Sequence, residues 1–175
     1  VGQLLDQLDE LGIADNTIVI YSTDNGVHYN TWPDAGITPF RSEKNSNWEG
    51  AYRVPAVARW PGKIAPGQIS TEIMSHHDWM PTMAAAAGRD DLKGDLLKGT
   101  RIGSKSARLH LDGYNFLPYL TGEAEEGPRR VFHYLNDEGM PVGVRVDDWK
   151  VVYAENRART MALWADPFVI LLMFK

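Results

Sequence analysis

The sequence of 175 residues contains no cysteine. Disulfide bonds, thiolate metal sites and a cysteine nucleophile are therefore excluded within these residues. No apolar run approaches the ~18 residues that a membrane-spanning helix needs, and the first residues show no basic region followed by a hydrophobic stretch. No long block of one charge sign occurs and the net charge is −5, which argues against nucleic acid or an anionic membrane as a partner.

The composition that remains is that of a globular protein. Hydrophobic residues make up 43% and charged residues 23% of the chain, and the length suits one domain, or one domain with a small lobe. Residues 1–11 begin inside an amphipathic pattern, and residues 168–175 end on an apolar run. Because a natural terminus rarely leaves such segments exposed, we expect a fragment that is truncated at both ends.

Residues 1–22 predict a helix, a turn and a strand, in that order. Leucines recur at helical spacing in residues 4–11, and Gly12 is placed to stop the helix. Residues 17–22 are then almost continuously apolar or β-branched, as is typical of a strand buried on both faces. Helix, short turn and buried strand form one arm of an α/β unit.

Two oxygen-bearing side chains, Asp24 and Asn25, follow this strand directly. Ligands in α/β sheets gather beyond the carboxyl ends of such strands, and a carboxylate beside an amide carbonyl suits Ca²⁺ or Mg²⁺. Gly26 follows, and glycine can adopt positive φ. Asp-Asn-Gly is also ordinary turn chemistry, so the spacing leaves a metal site and a simple turn both open.

The middle of the chain has one long irregular connection. Residues 27–50 have no clear period, and a connection of that length is usually functional. Residues 51–60 predict a strand in which Pro55 marks a bulge or the strand start. Residues 79–87 predict a helix capped by His77 or Asp78.

The composition changes at residues 91–107, where apolar periodicity fades. We expect residues 1–90 to belong to a large α/β domain, residues 91–107 to form a linker or surface excursion, and residues 108–175 to form a small, incomplete antiparallel lobe. Three short strands, at residues 131–135, 142–146 and 149–154, predict an antiparallel meander in that lobe.

The irregular connection offers two candidate anion-binding residues. Lys44 carries a compact charge on a flexible stem, which suits a sulfate or phosphate group, although most loop lysines are simply solvated. His28 lies two residues after Gly26 and could line the same pocket, or could be structural. Tyr29 and Trp32 could form an aromatic wall for the leaving group, or could pack inward.

Other polar residues read as scaffold. We expect Glu49 to pair with Arg53, or to bond backbone groups, and so to fix the loop. His76 and His77 precede a predicted helix and read as packing or capping residues. Ser104 and Arg108 have a spacing that resembles a hydrolase nucleophile motif, but the expected proline is missing and the segment is a predicted linker.

Several motifs in order resemble one family. They are IVIYSTDNG (residues 18–26), EKNSNWEGAYRVPAVARWPGKIAPG (43–67), HHDWMPTMAAAAG (76–88), GYNFLPYLTG (113–122) and GVRVDDWKVVYAE (143–155). Together they resemble the C-terminal part of a type I, formylglycine-dependent sulfatase, most of all the bacterial arylsulfatases of the alkaline phosphatase superfamily.

The resemblance implies a fold and a site. The fold would be the C-terminal portion of an α/β alkaline-phosphatase-like sandwich plus a small antiparallel β lobe. Asp24 and Asn25 match the metal-binding pair, with Ca²⁺ or Mg²⁺ as the cofactor, and Lys44 matches the lysine that contacts the sulfate. The formylglycine and the other metal ligands are expected in a missing N-terminal half, so these residues alone should be inactive.

Two alternatives to a sulfatase stay open. The first is a phosphonate monoester hydrolase or phosphodiesterase of the same superfamily. The second is a degenerate, non-catalytic binding module that kept the scaffold and lost the nucleophile. The substrate that is expected from the resemblance is a small-molecule sulfate ester, whose identity the sequence does not specify.

Overall fold

The computed structural model of the protein describes residues 1–28, 38–156 and 169–170. Backbone contacts divide the chain into two compact units. The first unit comprises residues 1–17 and 59–130, and the second comprises residues 18–58 and 131–175. Across the described ranges, no helix is long and apolar enough to cross a membrane.

The described helices lie before β5, interspersed with short strands, and strands alone follow. The helices are α1 (Gly2–Glu10), α2 (Glu49–Tyr52), α3 (Trp79–Ala86), α4 (Leu92–Lys98) and α5 (Leu117–Leu120). The strands are β1 (Val19–Ser22), β2 (Ala56–Arg59), β3 (Thr100–Ile102), β4 (Lys105–Ala107), β5 (Val131–Leu135), β6 (Pro141–Val146), β7 (Trp149–Val152), β8 (Ala154–Glu155) and β9 (Val169–Ile170). The predicted mixture of helices with small antiparallel sheets is confirmed.

Helix α1 forms as the leucine spacing predicts and ends just before Gly12. Gly12 has φ of +66°, a left-handed conformation that glycine adopts without a Cβ clash. The carboxylate of Asp9, on the polar face of the helix, accepts a hydrogen bond of 2.8 Å from Arg59. The apolar side carries no buried residue among those described, and Leu4 is 71% exposed.

The core of the first unit is built around α3, which matches the predicted helix at residues 79–87. Thr82 is 1% exposed, and its hydroxyl donates to the carbonyl of Asp78 at 2.6 Å. The same oxygen accepts a 2.9 Å hydrogen bond from the backbone amide of Phe116, whose side chain is fully buried. This hydroxyl thereby ties the segment before α5 to α3, and it satisfies a backbone donor that has no access to water.

Asp78 does more than the predicted capping. Its carboxylate is fully buried and accepts two parallel hydrogen bonds from Arg129, at 2.6 Å and 2.8 Å. It also accepts from the backbone amides of Ser75 at 2.7 Å and Tyr114 at 2.8 Å. The bond to Ser75 closes a capping box around the 3₁₀ turn that precedes α3, while α3 itself has no side-chain cap. Charge-assisted hydrogen bonds from this many donors offset the cost of burying a carboxylate.

Residues 91–107 contain more regular structure than the fading periodicity predicted. Asp91 caps α4 by accepting a 2.9 Å hydrogen bond from the amide of Gly94, and β3 and β4 pair as an antiparallel hairpin. Gly103, at the hairpin turn, has φ of +62°. Short elements of this kind were missed because each is stabilised by a cap or a turn rather than by an apolar period. The domain boundaries themselves stay a prediction.

The second unit contains the predicted meander. β5, β6 and β7 form a three-stranded antiparallel sheet. Tyr134 and Val142, at 2% and 1% exposure, form its core together with Ala154 and the partly buried Phe132. The turn between β6 and β7 contains Asp147 with φ of +50°, a conformation that aspartate tolerates better than most residues.

Two strand predictions in the second unit are wrong in part. β1 is not buried on both faces, because the side chain of Tyr21 is 58% exposed. Within the described residues, the face of β1 that carries Tyr21 is therefore not covered by another layer. Residues 51–60 are not a single strand: their first part belongs to α2, and β2 begins after Pro55. The proline therefore marks a strand start rather than a bulge, since it disfavours helix at the residue before it.

Candidate functional site

Asp24 and Asn25 follow β1, as the sequence predicts. Asp24 is exposed, and one of its oxygens accepts a weak 3.3 Å hydrogen bond from the hydroxyl of Thr23. The amide nitrogen of Asn25 donates to the carbonyl of Gly26 at 2.9 Å. That bond uses the nitrogen, so the side-chain carbonyl oxygen is the atom with which Asn25 would contact a cation.

Gly26 is required by a close backbone approach and not by a positive φ. Its φ lies outside the left-handed region, whereas a Cβ at this position would lie 1.8 Å from the carbonyl oxygen of Gly50. The amide of Gly26 also donates to the carbonyl of Ala51 at 2.8 Å. The end of β1 is thus pressed against the start of α2, and only a residue without a side chain fits between them.

Replacing Gly26 with alanine is expected to destabilise the protein by about 3 kcal/mol or more, because the new methyl group overlaps backbone atoms that cannot rotate away. Urea denaturation measures the loss. Gly2→Ala is the matched control, since nothing lies within 4 Å of a Cβ there, and its effect should stay below about 1 kcal/mol. Equal stability of the two variants would contradict the close approach at Gly26.

Lys44 lies beside the same strand end. Its backbone amide donates to the carbonyl of Val27 at 2.8 Å, two residues beyond Asn25. Ser42 and Asn45, on either side of Lys44, have φ of +67° and +69°. Left-handed conformations at residues other than glycine are uncommon and persist where surrounding contacts hold them. Contacts with the surrounding residues therefore fix the backbone conformation of the loop that carries Lys44.

His28 lies next to this loop as well. Its Nε2 atom is 4.0 Å from a carboxylate oxygen of Glu43, which is 6% exposed and directly precedes Lys44. The structure thus brings Asp24, Asn25, His28 and the backbone of Lys44 onto two neighbouring segments of the second unit. Their roles stay predictions, and Tyr29 and Trp32 lie outside the described residues.

Asn47 is a buried anchor that sequence reasoning missed. Its side chain is fully buried, and its amide nitrogen donates to the carbonyls of Val142 at 3.0 Å and Ala154 at 2.7 Å. The side-chain oxygen, also buried, has no hydrogen-bond partner within the described part of the chain. An asparagine in a polar loop usually predicts a solvated turn, so no local signal marks this one as buried.

The predicted pairing of Glu49 with Arg53 is confirmed at 2.8 Å, and it is part of a larger network. One carboxylate oxygen accepts from the hydroxyl of Tyr134 at 2.7 Å and from the ammonium of Lys150 at 2.8 Å. The other oxygen accepts from Arg53 and also from Arg145 at 3.1 Å. Glu49 therefore ties the first residue of α2 to three strands of the sheet.

This network shifts the pKa values of its members. Burial opposes ionisation of Glu49, but hydrogen bonds from Lys150, Arg53 and Tyr134 outweigh it and lower its pKa from 4.5 to about 2. Burial, and then the hydrogen bond to Glu49, raises the pKa of the Tyr134 hydroxyl. Burial lowers the pKa of Lys150, although Glu49 counteracts this. Glu49 is therefore ionised throughout the neutral range.

The depressed pKa of Glu49 predicts acid sensitivity. Its stabilising contribution is fully present above its ordinary pKa of 4.5 and is lost as the pH falls through about 2. After allowance for solvent screening, we expect the free energy of unfolding to fall by about 2 kcal/mol over that interval on account of Glu49. Denaturation at several pH values measures this. Glu49→Gln should show a shallower acid limb, and identical limbs in the two proteins would contradict the prediction.

Asp24 and Asn25 provide oxygen ligands of the kind that a hard cation binds, but too few to bind it alone. Asp24 and Asn25 offer two oxygen ligands, and Ca²⁺ takes about six to eight. Within residues 1–28 and 38–156, no group of three or more His, Cys, Asp and Glu side chains is arranged to hold a metal ion. Asp24 and Asn25 therefore fit a share of a Ca²⁺ shell, and the remaining ligands have to come from elsewhere.

Solved structures place this fold in one class. A sulfatase from Pseudoalteromonas sp., PsFucS1, superposes with a TM-score of 0.79 at 27% identity, over 99% of this chain and 32% of that one. Ps i-CgsB, solved in complex with k-i-k-neocarrahexaose, superposes with a TM-score of 0.66 at 25% identity, over 95% of this chain and 32% of that one. The fold is that of a portion of a sulfatase.

Sequence comparison identifies the family. The sulfatase family model matches residues 1–89. Steryl-sulfatase of Mus musculus is 36% identical over 78% of this chain and 21% of its own length, and arylsulfatase A of Homo sapiens is 33% identical over 95% and 31%. The chain belongs to the sulfatase family. It spans about a fifth to a third of the length of the curated relatives that it matches.

Proposed function

We propose that this chain is part of an enzyme that hydrolyses small-molecule sulfate esters with a formylglycine nucleophile and Ca²⁺. The observation that supports it best is the 2.8 Å hydrogen bond between the amide of Lys44 and the carbonyl of Val27. It places the backbone of the predicted sulfate-binding lysine beside the strand end that carries the predicted metal ligands. Family membership supports sulfate-ester chemistry independently.

Asp24 and Asn25 would hold the cation through their side-chain oxygens. When bound, Ca²⁺ supplies charge that polarises the sulfate group, and formylglycine, from outside these residues, supplies the nucleophile. Asp24 would contribute a carboxylate oxygen to the cation from its position after β1. The hydrogen bond from Asn25 to the Gly26 carbonyl orients its amide so that the oxygen is the available acceptor. Mg²⁺ is a second cation that such oxygens accept.

Lys44 binds the sulfate group in this proposal. Its ammonium is a point charge that offsets negative charge as it builds up on the oxygens while the ester bond breaks. His28 lies on the neighbouring segment, with its ring 4.0 Å from the buried carboxylate of Glu43. In this proposal, His28 contacts the substrate from the segment that follows Asp24 and Asn25. Both residues therefore act on the anion, and neither is a nucleophile.

The proposal predicts that the chain is inactive by itself. The 175 residues and the full-length protein that contains them are assayed in parallel with 4-nitrophenyl sulfate and 4-nitrophenyl phosphate. We expect turnover by the full-length protein only, with the sulfate ester preferred, and only weak Ca²⁺ binding to the isolated chain by calorimetry, because the donor set is incomplete.

Three other outcomes of these assays would contradict the proposal. Turnover by the isolated chain would show that its own residues contain a complete active site. A preference of the full-length protein for phosphate would favour the phosphonate monoester hydrolase or phosphodiesterase alternative. Retention of sulfate binding without turnover of either ester would favour the non-catalytic binding module.

A further inference from the structure

Lys44 lies in a short loop that is attached to the rest of the second unit at both ends. The amide of Gly50 donates to the carbonyl of Arg41 at 2.8 Å, which joins the two ends of the loop. Before Lys44, the side chain of Arg41 donates to the carboxylate of Glu155 at 3.4 Å. After it, Asn47 is bonded to backbone carbonyls at Val142 and Ala154. Glu49 follows Lys44 by five positions and is the next point of attachment.

Two of the residues that bind Glu49 are cations on adjacent strands of the sheet. Arg145 on β6 and Lys150 on β7 lie directly opposite each other in the antiparallel register. Two cations in that position repel each other and destabilise a sheet. Here each donates to one oxygen of the same carboxylate, at 3.1 Å and 2.8 Å. The carboxylate of Glu49 therefore offsets the repulsion between Arg145 and Lys150, and the two cations together bind Glu49.

The conformation around Lys44 needs such an attachment. The left-handed residues Ser42 and Asn45 flank Lys44, and strained backbone of this kind persists only where its surroundings determine it. The carboxylate of Glu49 is only 22% exposed and has four charged or hydroxyl donors. Glu49 is thus a side-chain attachment with several charged partners, close to the loop in sequence.

We propose that Glu49 is a positioning residue for Lys44: Arg145 and Lys150 hold Glu49 against the sheet, and Glu49 thereby holds the Lys44 ammonium at the sulfate site. The assignment rests on the proposed function, because it takes Lys44 to be the sulfate-binding group. It adds residues of the antiparallel sheet to the set that determines sulfate affinity. None of these sheet residues touches the sulfate itself.

The test measures binding of inorganic sulfate to the full-length protein. Glu49→Gln and Lys150→Met should each weaken sulfate binding about tenfold or more, because a displacement of a binding group by ~1 Å is enough to cost that much. Amide hydrogen exchange at Lys44 should become faster, since its bond to Val27 reports the position of the loop. Lys105→Met removes the same charge from an exposed lysine of β4 and should change neither quantity.

A double-variant cycle separates positioning from general stability. In a Lys44→Ala background, Glu49→Gln should weaken sulfate binding no further, because its effect passes through Lys44. Lys150→Arg should restore most of the affinity lost in Lys150→Met, since it keeps a cation for Glu49. If Glu49→Gln fails to fold, the two Lys150 variants carry the test.

Failure of this inference differs from failure of the proposed function. If Lys44→Ala weakens sulfate binding while Lys150→Met and Glu49→Gln bind as the parent protein does, the positioning role is wrong and the sulfate site stands. A full additional loss on adding Glu49→Gln to Lys44→Ala also overturns the positioning role. If Lys44→Ala leaves sulfate binding unchanged, the sulfate site at Lys44 is itself wrong, and the positioning role falls with it.

Discussion

Replacing Lys44, the proposed sulfate-binding residue, with alanine in the full-length protein is expected to lower kcat/KM for a sulfate ester about 100- to 1000-fold, the cost of removing one group that stabilises transition-state charge. Both kcat and KM should change, because the proposed role of the ammonium is to contact the sulfate before and during bond breaking. Steady-state kinetics with 4-nitrophenyl sulfate measure it.

The Lys44 experiment has two comparisons. Lys105→Ala, at an exposed lysine in the β3–β4 hairpin, should leave both constants unchanged. Lys44→Arg keeps the charge in a larger, planar group and should recover only part of the activity. A Lys44→Ala variant that retained more than about half of kcat/KM would remove this residue from the mechanism, since that corresponds to under ~0.5 kcal/mol of transition-state stabilisation.

Replacing Arg129 with methionine is expected to destabilise the first unit by about 3–5 kcal/mol, because Asp78 would keep a buried charge without its partner. Asp78 is fully buried, and both of its oxygens bond Arg129. The loss is a large fraction of the stability of a typical domain. Urea denaturation followed by tryptophan fluorescence measures it.

Arg59→Met is the matched control for Arg129→Met. Arg59 also pairs with a carboxylate, that of Asp9, at 2.8 Å, but both side chains are partly exposed, at 32% and 53%. Its loss should cost at most about 1 kcal/mol. Asp78→Asn added to Arg129→Met should recover part of the stability, because it removes the charge and keeps an acceptor for a backbone amide. Equal effects of Arg129→Met and Arg59→Met would contradict the buried pair.

Local features of the fold were predictable because they depend on neighbours in the sequence. The leucine period and Gly12 predicted α1 and its end, and the apolar run of residues 79–87 predicted α3. Three short strands with acidic turns predicted the meander of β5, β6 and β7. The hairpin at residues 100–107 was missed because turn chemistry and caps, which carry little apolar signal, produce it.

The candidate site was predictable where its residues follow a strand and unpredictable where its support comes from afar. Asp24 and Asn25 were located by their place after an apolar run, and Lys44 by its family motif. The buried anchor Asn47 was missed, because an asparagine in a polar loop resembles a solvated turn. The pairing of Glu49 with Arg53 was foreseen at a separation of four positions, but its bonds to the sheet were not.

By itself, the sequence determined the periodic elements, the sulfatase family and the position of Asp24 and Asn25 directly after β1. Only the tertiary structure decided that Glu49 meets Lys150, 101 positions away, and that Asp78 meets Arg129, 51 positions away. Periodicity and capping act over a few residues, so a linear pattern contains them. A charged residue that awaits a distant partner has the same local pattern as one in water, and only the path of the folded chain distinguishes the two.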